Sequence, residues 1–578
     1  MSGRVERLTG VAKTPIREQQ EIDLERISPS CMMTASSIMS LVANLPSTVR
    51  KAIGSHYTPV ELARFVARQV AAQIKMAGPR VLDPACGDGA LLMALQESVP
   101  GAVLHGYDLD AQALESVAKR VSGSFEEVDF LSVTKNFRDE LFAPERFDAV
   151  IANPPYVRTQ VMGAEKAQEI SHAFDLNGRV DLYFAFLEGI ADVLAPGGVA
   201  GVIVSNRFMT TKSGAIVRAR LLERFDVLHV WDLGDTRLFE AAVLPAVLLL
   251  RKKAQAVVTI SGFSTIYRSS LPPEAGAQTV IEALEKSGVI RVGTDVFEIR
   301  HGTLEATDVW RISTGATDAW LNKVLTRTFC TFGDIGKIRV GIKTTADKIF
   351  VRKEWPAPRP ELLRPLLNHK AARRYRPLAA SLEVLYTHEA HDGGKRCVEL
   401  ELYPVSSAYL EIHREILSAR DYVMKSGRKW FEIWVPQQPA LWAKPKLFFP
   451  DISERPVFAM SLGGEIVQGD CYWLAADNES KAELLWLALA VANSRFIESY
   501  YDHAFNNRLY SGRRRFLTQY VEKFPLPDPQ SKRGKEIVGL AKQAYELTPS
   551  VEADALAERL ERLIAEAFGV ATDIPSEA

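Results

Sequence analysis

The residues best suited to chemistry in this chain are Asn153 and Tyr156, which follow a run of apolar residues. Residues 149–152 are Ala-Val-Ile-Ala, and they continue directly into Asn153, Pro154, Pro155 and Tyr156. The apolar run predicts a buried strand, and the prolines must end it because proline has no N–H to donate to a sheet. Asn153 and Tyr156 are therefore expected at the carboxyl end of a strand, where open α/β sheets bind their ligands.

These side chains suit the transfer of a methyl group to an aromatic amine. The nitrogen of such an amine is a weak nucleophile, because its lone pair is delocalised into the ring. The side-chain oxygen of Asn153 and the backbone carbonyl of Pro154 could accept both amine hydrogens and so localise the pair. Tyr156 would stack on the ring. On these residues alone, a rigid turn without chemistry is the alternative.

A second set of polar residues follows earlier predicted strands. Residues 80–89 predict a strand that ends at Asp83, a turn around Gly87 and the start of a helix. The turn lacks the third glycine of a pyrophosphate-binding fingerprint, which favours S-adenosylmethionine over a dinucleotide. Asp83 would face its sulfonium or ammonium group, Asp108 its ribose hydroxyls, and Asp129 its adenine amine, with Phe130 packed on the adenine ring. Singly, such an acid is more often a solvated residue at a strand end.

The composition limits the classes of protein to which this chain can belong. With 578 residues, 47% of them hydrophobic and 24% charged, the chain predicts a soluble protein of two or three domains. A net charge of −1 gives no global attraction to nucleic acid, so such binding needs local basic patches. The five cysteines are scattered, which predicts a reducing compartment and neither disulfides nor a zinc site. We expect a cytoplasmic enzyme without a membrane or metal partner.

The remaining pattern of the first half is that of an α/β sheet. A helix with an apolar face of Leu62, Phe65, Val66 and Val70 is predicted to begin at Thr58 or at the pair Thr58-Pro59. Another helix is predicted at 181–194, a strand at 199–204, and a closing hairpin at 228–233 and 243–250.

The order of these motifs resembles that of the adenine-specific DNA methyltransferases of restriction–modification systems, gamma type. The resemblance is close over about residues 51–255 and rests on Tyr57-Thr58-Pro59, residues 83–89, Asp108, Asp129-Phe130 and Asn153–Tyr156. It implies a Rossmann-like methyltransferase domain with a seven-stranded, mostly parallel sheet, and a target adenine flipped out of the duplex. It also implies double-stranded DNA as a partner and leaves room for a separate cognate restriction endonuclease.

The resemblance assigns roles by position in this sequence. The catalytic residues would be Asn153, Pro154, Pro155, Tyr156 and Phe239, with Phe239 covering the base from the closing hairpin. The residues that bind S-adenosylmethionine would be Tyr57, Thr58, Asp83, Ala85, Gly87, Asp108, Asp129, Phe130 and Asn153. Transfer would be direct, because Cys86 lies in the cofactor turn and not beside the base. An ordinary core position is the alternative for Phe239.

The second half is expected to recognise DNA. We predict a flexible leader at 1–50, the catalytic domain at 51–310, a mixed α+β target-recognition domain at 311–530 and C-terminal helices at 531–578. Basic and aromatic residues interleave after 370, and residues 501–535 hold eight Lys and Arg against three acids. The predicted DNA contacts are Arg428, Lys429, Arg508, Arg513, Arg514 and Arg515. Each arginine alone could instead be an ordinary surface charge.

Two other classes of protein stay open at this point. Asn-Pro-Pro-Tyr also occurs in methyltransferases that act on ribosomal RNA or on a glutamine of translation release factors. A non-catalytic DNA-binding protein on a methyltransferase scaffold is the other alternative. The long basic and aromatic second half disfavours the first, and the intact Asn153, Tyr156 and Asp108 disfavour the second.

Overall fold

The protein is described by a computed structural model that covers most of the chain. The described residues are 58–138, 144–156, 168, 174, 181–239, 244–254, 261–505, 509 and 513–571. The leader expected at 1–50 lies outside these residues, as do Tyr57 and Arg508.

The first half alternates strands and helices as predicted. Its elements are α1 (Val60–Ala71), β1 (Arg80–Asp83), α2 (Ala90–Ser98), β2 (Val103–Asp108), α3 (Ala111–Ala118), β3 (Gly123–Glu127), α4 (Phe130–Val133), β4 (Phe147–Ala152), α5 (Leu182–Val193), β5 (Leu194–Ser205), α6 (Ala215–Arg224), β6 (Phe225–Asp232) and β7 (Pro245–Lys252). The strands lie in the order β3-β2-β1-β4-β5-β7-β6, and only β7 runs antiparallel to its neighbours. The predicted Rossmann-like sheet and its closing hairpin are confirmed.

The sheet is larger than the seven strands that the resemblance implies. It continues through β8 (Gly262–Arg268), β9 (Ala275–Ala277), α7 (Val280–Leu284), β10 (Gly288–Val292), β11 (Asp295–Ala306) and β12 (Trp310–Ser313). β8 pairs with β6 in parallel and β11 pairs with β8, which makes a sheet of twelve strands. The sequence pattern predicts no strands here, and most residues of β11 are only half-buried and show no clean alternation.

Apolar side chains cover both faces of the sheet. Along β4, Ala149 and Ile151 pack into the cluster that contains α1, whereas Val150 and Ala152 pack into the cluster that contains α5. This alternation follows from the two-residue period of a strand. The apolar face of α1 lies directly on β5, where a Cβ added to Gly201 would come within 2.5 Å of a Val70 methyl. Residues on β4 are therefore fixed from both sides.

The second half is a mixed α+β assembly, as expected. Its elements are α8 (Gly315–Thr326), β13 (Cys330–Thr331), α9 (Phe332–Ile335), β14 (Ile338–Val340), α10 (Asp347–Phe350), β15 (Val351–Arg352), β16 (Leu363–Leu367), β17 (Leu382–Leu385), β18 (His388–His391), β19 (Gly394–Cys397), α11 (Pro404–Ile412), α12 (Arg414–Ser418), α13 (Asp421–Lys425), β20 (Lys446–Pro450), β21 (Ile452–Ser453), β22 (Ala459–Ser461), β23 (Ile466–Val467), β24 (Cys471–Ala475), α14 (Ala482–Ala492), α15 (Arg495–Phe505), β25 (Arg514–Arg515), α16 (Thr518–Val521), β26 (Pro525–Leu526), α17 (Lys532–Leu547) and α18 (Val551–Phe568). Two four-stranded sheets, β14-β24-β20-β22 and β15-β17-β16-β23, organise it. Gly569, in a left-handed conformation with φ +66°, ends α18.

The two halves meet beside the carboxyl end of β5. The hydroxyl of Tyr520 donates to the carbonyl of Thr210 at 3.0 Å, and Lys523 forms an ion pair with Asp308 at 2.8 Å. These contacts place the second half next to the edge of the sheet where ligands bind. Among the described residues, no helix has the length and apolar character required to cross a membrane.

Candidate active site

Four polar side chains lie in a row along the carboxyl edge of the sheet. The strands β3, β2, β1 and β4 are consecutive neighbours, and they lead into Asp129, Asp108, Asp83 and Asn153 respectively. Neighbouring strands are about 4.8 Å apart, so the row spans about 14 Å. The strand order thus places the predicted acceptors for adenine, ribose and methionine in that sequence, with Asn153 at the far end.

Asn153 is held on both sides of its amide. Its Nδ2 donates to the hydroxyl of Thr58 at 3.1 Å, and its Oδ1 accepts a hydrogen bond from the hydroxyl of Tyr156 at 3.1 Å. Thr58 or the pair Thr58-Pro59 was expected to start α1; Pro59 is the capping residue, and no side chain caps the helix. The Thr58 hydroxyl instead supports the Nδ2 end of the Asn153 amide, while Oδ1 faces the Tyr156 hydroxyl on the other side.

Tyr156 is half-buried beside a second tyrosine. Its ring meets that of Tyr183 edge-on, with the centroids 6.2 Å apart. Burial raises the pKa of Tyr156 above its usual range, so the hydroxyl stays protonated and can donate a hydrogen bond. Pro154 is buried and Pro155 half-buried, which holds this turn rigid between the strand and the tyrosine.

Asp83 is a buried acid without a counter-charge in the part of the chain that the structure describes. The residue is 1% exposed, and its Oδ1 accepts a hydrogen bond from the backbone of Ala85 at 3.1 Å. Burial, with smaller contributions from Asp108 and Asp88, raises the pKa of Asp83 to about 8. A buried carboxylate among other acids favours a cationic ligand. The sulfonium and ammonium groups of S-adenosylmethionine meet that requirement.

Asp108 shapes the turn that follows β1. One of its oxygens accepts from the backbone of Gly87 at 2.7 Å, and the other accepts from Leu109 at 2.7 Å and Asp110 at 2.9 Å. A carboxylate has about four lone-pair positions, so about one acceptor position remains for a ribose hydroxyl. Gly87 has φ +49°, and a Cβ there would meet no atom within 4 Å, so the turn leaves open space above it.

Phe130 does not occupy the position expected of a residue stacked on adenine. It is 2% exposed and packs on Phe186, with the ring centroids 5.3 Å apart. Asp129 caps α4 by accepting from the backbone of Leu131 at 3.1 Å. We therefore revise the expectation for Phe130: its ring belongs to the core. Asp129 is half-buried, and its contact with the adenine amine stays a prediction.

Phe239 also lies in the core. It is 8% exposed and packs in the apolar cluster of α1, whereas Tyr156 packs against the cluster on the other face of the sheet. In this arrangement Phe239 and Tyr156 do not share a cluster, so the ordinary core position describes Phe239 as it stands. Cys86 is buried too, and burial with the neighbouring Asp83 raises the pKa of its thiol. That shift disfavours a thiolate nucleophile.

The predicted DNA contacts fall into two kinds. Lys429 and Arg513 are exposed, and they remain candidates for contact with DNA. Arg514 is 8% exposed and forms ion pairs with Asp502 at 2.7 Å and Glu498 at 3.0 Å, so we withdraw it as a DNA contact.

The other two arginines have protein partners as well. Arg515 is paired with Asp451 at 2.9 Å. Arg428 lies 4.7 Å over the ring of Trp434 and donates to its carbonyl at 2.6 Å. The interleaving of basic and aromatic residues thus reflects contacts inside the protein at least in part.

Sequence reasoning missed a buried polar network at the same edge of the sheet. Asn206, after β5, donates to Asp232 at the end of β6 at 2.9 Å, and the hydroxyl of Tyr267 on β8 donates to Asp232 at 2.7 Å. These hydrogen bonds connect β5, β6 and β8 at the carboxyl edge of the sheet. No spacing in the sequence signals them, because the three residues come from separate strands. Within the described ranges, no group of three or more His, Cys, Asp or Glu could hold a metal ion.

Comparison with known proteins identifies the family. Residues 104–239 match the family model for the Eco57I restriction-modification methylase, and residues 401–526 match that for the TaqI-like C-terminal specificity domain. The type II methyltransferase M.BanIII of Aneurinibacillus aneurinilyticus is 37% identical over 90% of this chain and 98% of its own length. The type II methyltransferase M.PaeR7I of Pseudomonas aeruginosa is 26% identical over 67% of this chain and 66% of its own length.

A solved structure agrees in fold. The ATP-dependent Type ISP restriction-modification enzyme LlaBIII bound to DNA is similar at a TM-score of 0.50 and 12% identity, over 88% of this chain and 40% of that chain. At this identity the likeness concerns the fold alone. Taken with the row of acceptors along the sheet edge, the sequence comparisons show that the chain belongs to the type II methyltransferases of restriction–modification systems, whose methyl donor is S-adenosylmethionine.

Proposed function

We propose that this protein methylates the 6-amino nitrogen of an adenine that is flipped out of duplex DNA. The observation that carries the proposal is the position of Asn153: its amide is fixed by Thr58 and Tyr156 at the end of β4, next to the strand that ends at Asp83. An oriented acceptor beside the site for a cationic donor is the arrangement that methyl transfer to an amine requires.

Asn153 and Pro154 would prepare the nucleophile. The Asn153 Oδ1 and the Pro154 carbonyl oxygen would each accept one hydrogen of the base amine, which directs its lone pair away from these two oxygens and toward the methyl donor. S-adenosylmethionine supplies a methyl group on a positively charged sulfur. As the N–C bond forms and the C–S bond breaks, positive charge grows on the amine, and the two oxygens stabilise that charge. One amine proton then passes to solvent from the side of these oxygens.

Asp83 and Asp108 would hold the donor from its two ends. Asp83 lies closest to Asn153 along the row and would face the charged groups of the methionine part. Asp108, on the next strand, would accept from the ribose. Because both acids are fixed by backbone N–H groups, they need no rearrangement when the donor binds.

Adenine is favoured over cytosine by the order of the motifs, which is that of the adenine-specific methyltransferases. Both bases carry an exocyclic amine, and the Asn153 arrangement could grip either. A direct test must therefore identify the methylated base.

Modification-sensitive long-read sequencing provides that test. DNA is sequenced from a methylation-free host that expresses the chain, and again from hosts expressing Asn153→Ala or the exposed control Lys75→Ala. We expect N6-methyladenine in one sequence context with wild type and Lys75→Ala, and none with Asn153→Ala. Methylated cytosine in place of methylated adenine would refute the assignment of the base, and methylation by Asn153→Ala would refute the mechanism.

We also propose that the chain is the modification partner of a separate restriction endonuclease. The membership of the restriction–modification family supports this role. The recognition context found by sequencing identifies which endonucleases to challenge the methylated DNA with. Protection of that DNA from an endonuclease with the same recognition sequence is the expected result, and full cleavage would contradict it.

A further inference from the structure

Tyr183 carries a polar group whose presence in the core needs an explanation. The residue is the second of α5 and is 1% exposed, and its hydroxyl has no hydrogen-bond partner among the described residues. A buried hydroxyl without a partner is costly, because it has lost its bonds to water without replacement. Native proteins leave few such groups, and an exception beside a functional site suggests a partner that arrives during function.

The position of Tyr183 connects it to the reaction. Its ring meets the edge of Tyr156, with the centroids 6.2 Å apart, and its other close ring contact is Phe184 at 4.5 Å. Tyr183 therefore stands directly behind the residue that would stack on the target base. Burial raises the pKa of Tyr183 well above its usual value, with Asp181 and Tyr156 adding to the shift. The hydroxyl is thus neutral and can accept a hydrogen bond.

The Tyr156 hydroxyl occupies part of the acceptor capacity that the target amine would use. It donates to the Asn153 Oδ1 at 3.1 Å, and that oxygen is the one that the target amine needs. An amide oxygen has two lone pairs, so it can accept from both donors, but it then binds each of them more weakly. The oxygen binds the amine more strongly if the Tyr156 hydroxyl turns to another acceptor nearby.

We propose that Tyr183 is a positioning residue that accepts the hydrogen bond of the Tyr156 hydroxyl when the target amine takes the Asn153 oxygen. The proposal rests on the proposed function. No covalent bond changes in this step: one hydrogen bond moves from Asn153 to Tyr183, and the amine replaces it. The exchange holds Tyr156 against the base while leaving the Asn153 oxygen to the amine.

A double-mutant cycle tests the exchange. The full-length variants are Tyr183→Phe, Tyr156→Phe and the double variant, with Tyr545→Phe as a control from the far end of α17. The measurements are kcat and KM for methyl transfer to a duplex with the recognition sequence, the dissociation constant of S-adenosylmethionine, and the fluorescence of 2-aminopurine placed at the target base.

The expected pattern is specific to the exchange. Tyr183→Phe should lower kcat/KM about fivefold and reduce the flipped fraction of 2-aminopurine, with cofactor affinity unchanged. It should be at least as stable to heat as the wild type, because it loses an unpaired polar group. In the Tyr156→Phe background the same change should alter kcat/KM less than about twofold, since no hydroxyl is left to transfer. The control should match the wild type.

Two results would overturn the proposal. The first is an equal loss from Tyr183→Phe in both backgrounds, which a purely structural role would give. The second is a Tyr183→Phe variant with wild-type kcat/KM and wild-type base flipping. Failure of the proposed function is distinguishable from both, because the wild type would then leave adenine unmethylated.

Discussion

Replacement of Thr58 by valine should slow methyl transfer without removing the cofactor. Thr58 accepts a hydrogen bond from the Asn153 Nδ2 at 3.1 Å, and valine keeps its shape while deleting the acceptor. The loss of one neutral hydrogen bond costs about 1 kcal/mol net, and about 3 kcal/mol if the donor is left unsatisfied. These values correspond to reductions in kcat of about fivefold and about 150-fold. Since the pair is half-buried, we expect a value near the lower end, about tenfold.

Single-turnover transfer of a labelled methyl group measures this effect. Enzyme saturated with S-adenosylmethionine is mixed with duplex DNA, and the rate constant is compared for wild type, Thr58→Val and Thr58→Ser. Serine keeps the hydroxyl, so it should retain most of the rate. Cofactor affinity is measured in parallel by calorimetry, because Thr58 was also predicted to contact the cofactor.

Two outcomes would refute the reasoning about Thr58. A Thr58→Val variant with the wild-type rate would show that the Asn153 amide needs no such support. A variant whose defect disappears at saturating S-adenosylmethionine would show that Thr58 acts through cofactor binding alone.

Further predictions concern charge, ion pairing and packing. The pKa of Asp83 is raised from 3.8 to about 8, so its contribution to stability is present below its ordinary pKa and is lost as the pH rises through about 8. Over the same rise in pH, calorimetry should show that S-adenosylmethionine binds more tightly and that binding releases a proton. The Asp83→Asn variant should abolish this proton release. Arg514→Met should lower the free energy of unfolding by about 3–5 kcal/mol, because it leaves Asp502 and Glu498 without their cationic partner. Arg513→Ala should leave the free energy of unfolding unchanged and lower the slope of log K for DNA binding against log salt concentration by about one unit. The reverse pattern would contradict the assignment of the two arginines. Gly201→Ala should cost about 1–3 kcal/mol in chemical denaturation by crowding α1 against β5, while Gly276→Ala, whose nearest contact is 3.8 Å away, should cost far less.

The core strands were predictable because their physical signals are local. β4 is a run of apolar residues closed by two prolines, and the β6–β7 hairpin alternates apolar segments with a loop. The strands β8 to β12 were not predictable in the same way. They extend an existing sheet at its edge, where β8 pairs with β6 and β11 pairs with β8, so pairing with neighbouring strands stabilises them more than their own pattern does.

The candidate site likewise has features that the sequence predicts and features that it does not. The placement of Asp83, Asp108 and Asn153 follows from the order of parallel strands, which the motif order indicates. The bond between Thr58 and Asn153 joins residues 95 positions apart, and no spacing rule predicts it. The unpaired hydroxyl of Tyr183 is likewise visible only once the neighbouring rings are in place.

The two arginines Arg513 and Arg514, which follow α15, differ in exposure, and the sequence does not distinguish them in this respect. Arg513 and Arg514 are adjacent and chemically identical, and both were predicted to contact DNA. The fold exposes Arg513 to solvent and buries Arg514 beside Asp502 and Glu498. A charge count over the segment weighs them equally, although only the exposed one is available to a phosphate.

The structure of a ternary complex tests the central claim most directly. The complex contains this protein, an unreactive analogue of S-adenosylmethionine and a duplex with the recognition sequence. We predict that the target adenine lies outside the duplex, that its amine donates to the Asn153 Oδ1 and the Pro154 carbonyl, and that the sulfur side of the analogue lies between that amine and Asp83. An amine bound to other groups, or an analogue bound away from Asp83 and Asp108, would contradict the account.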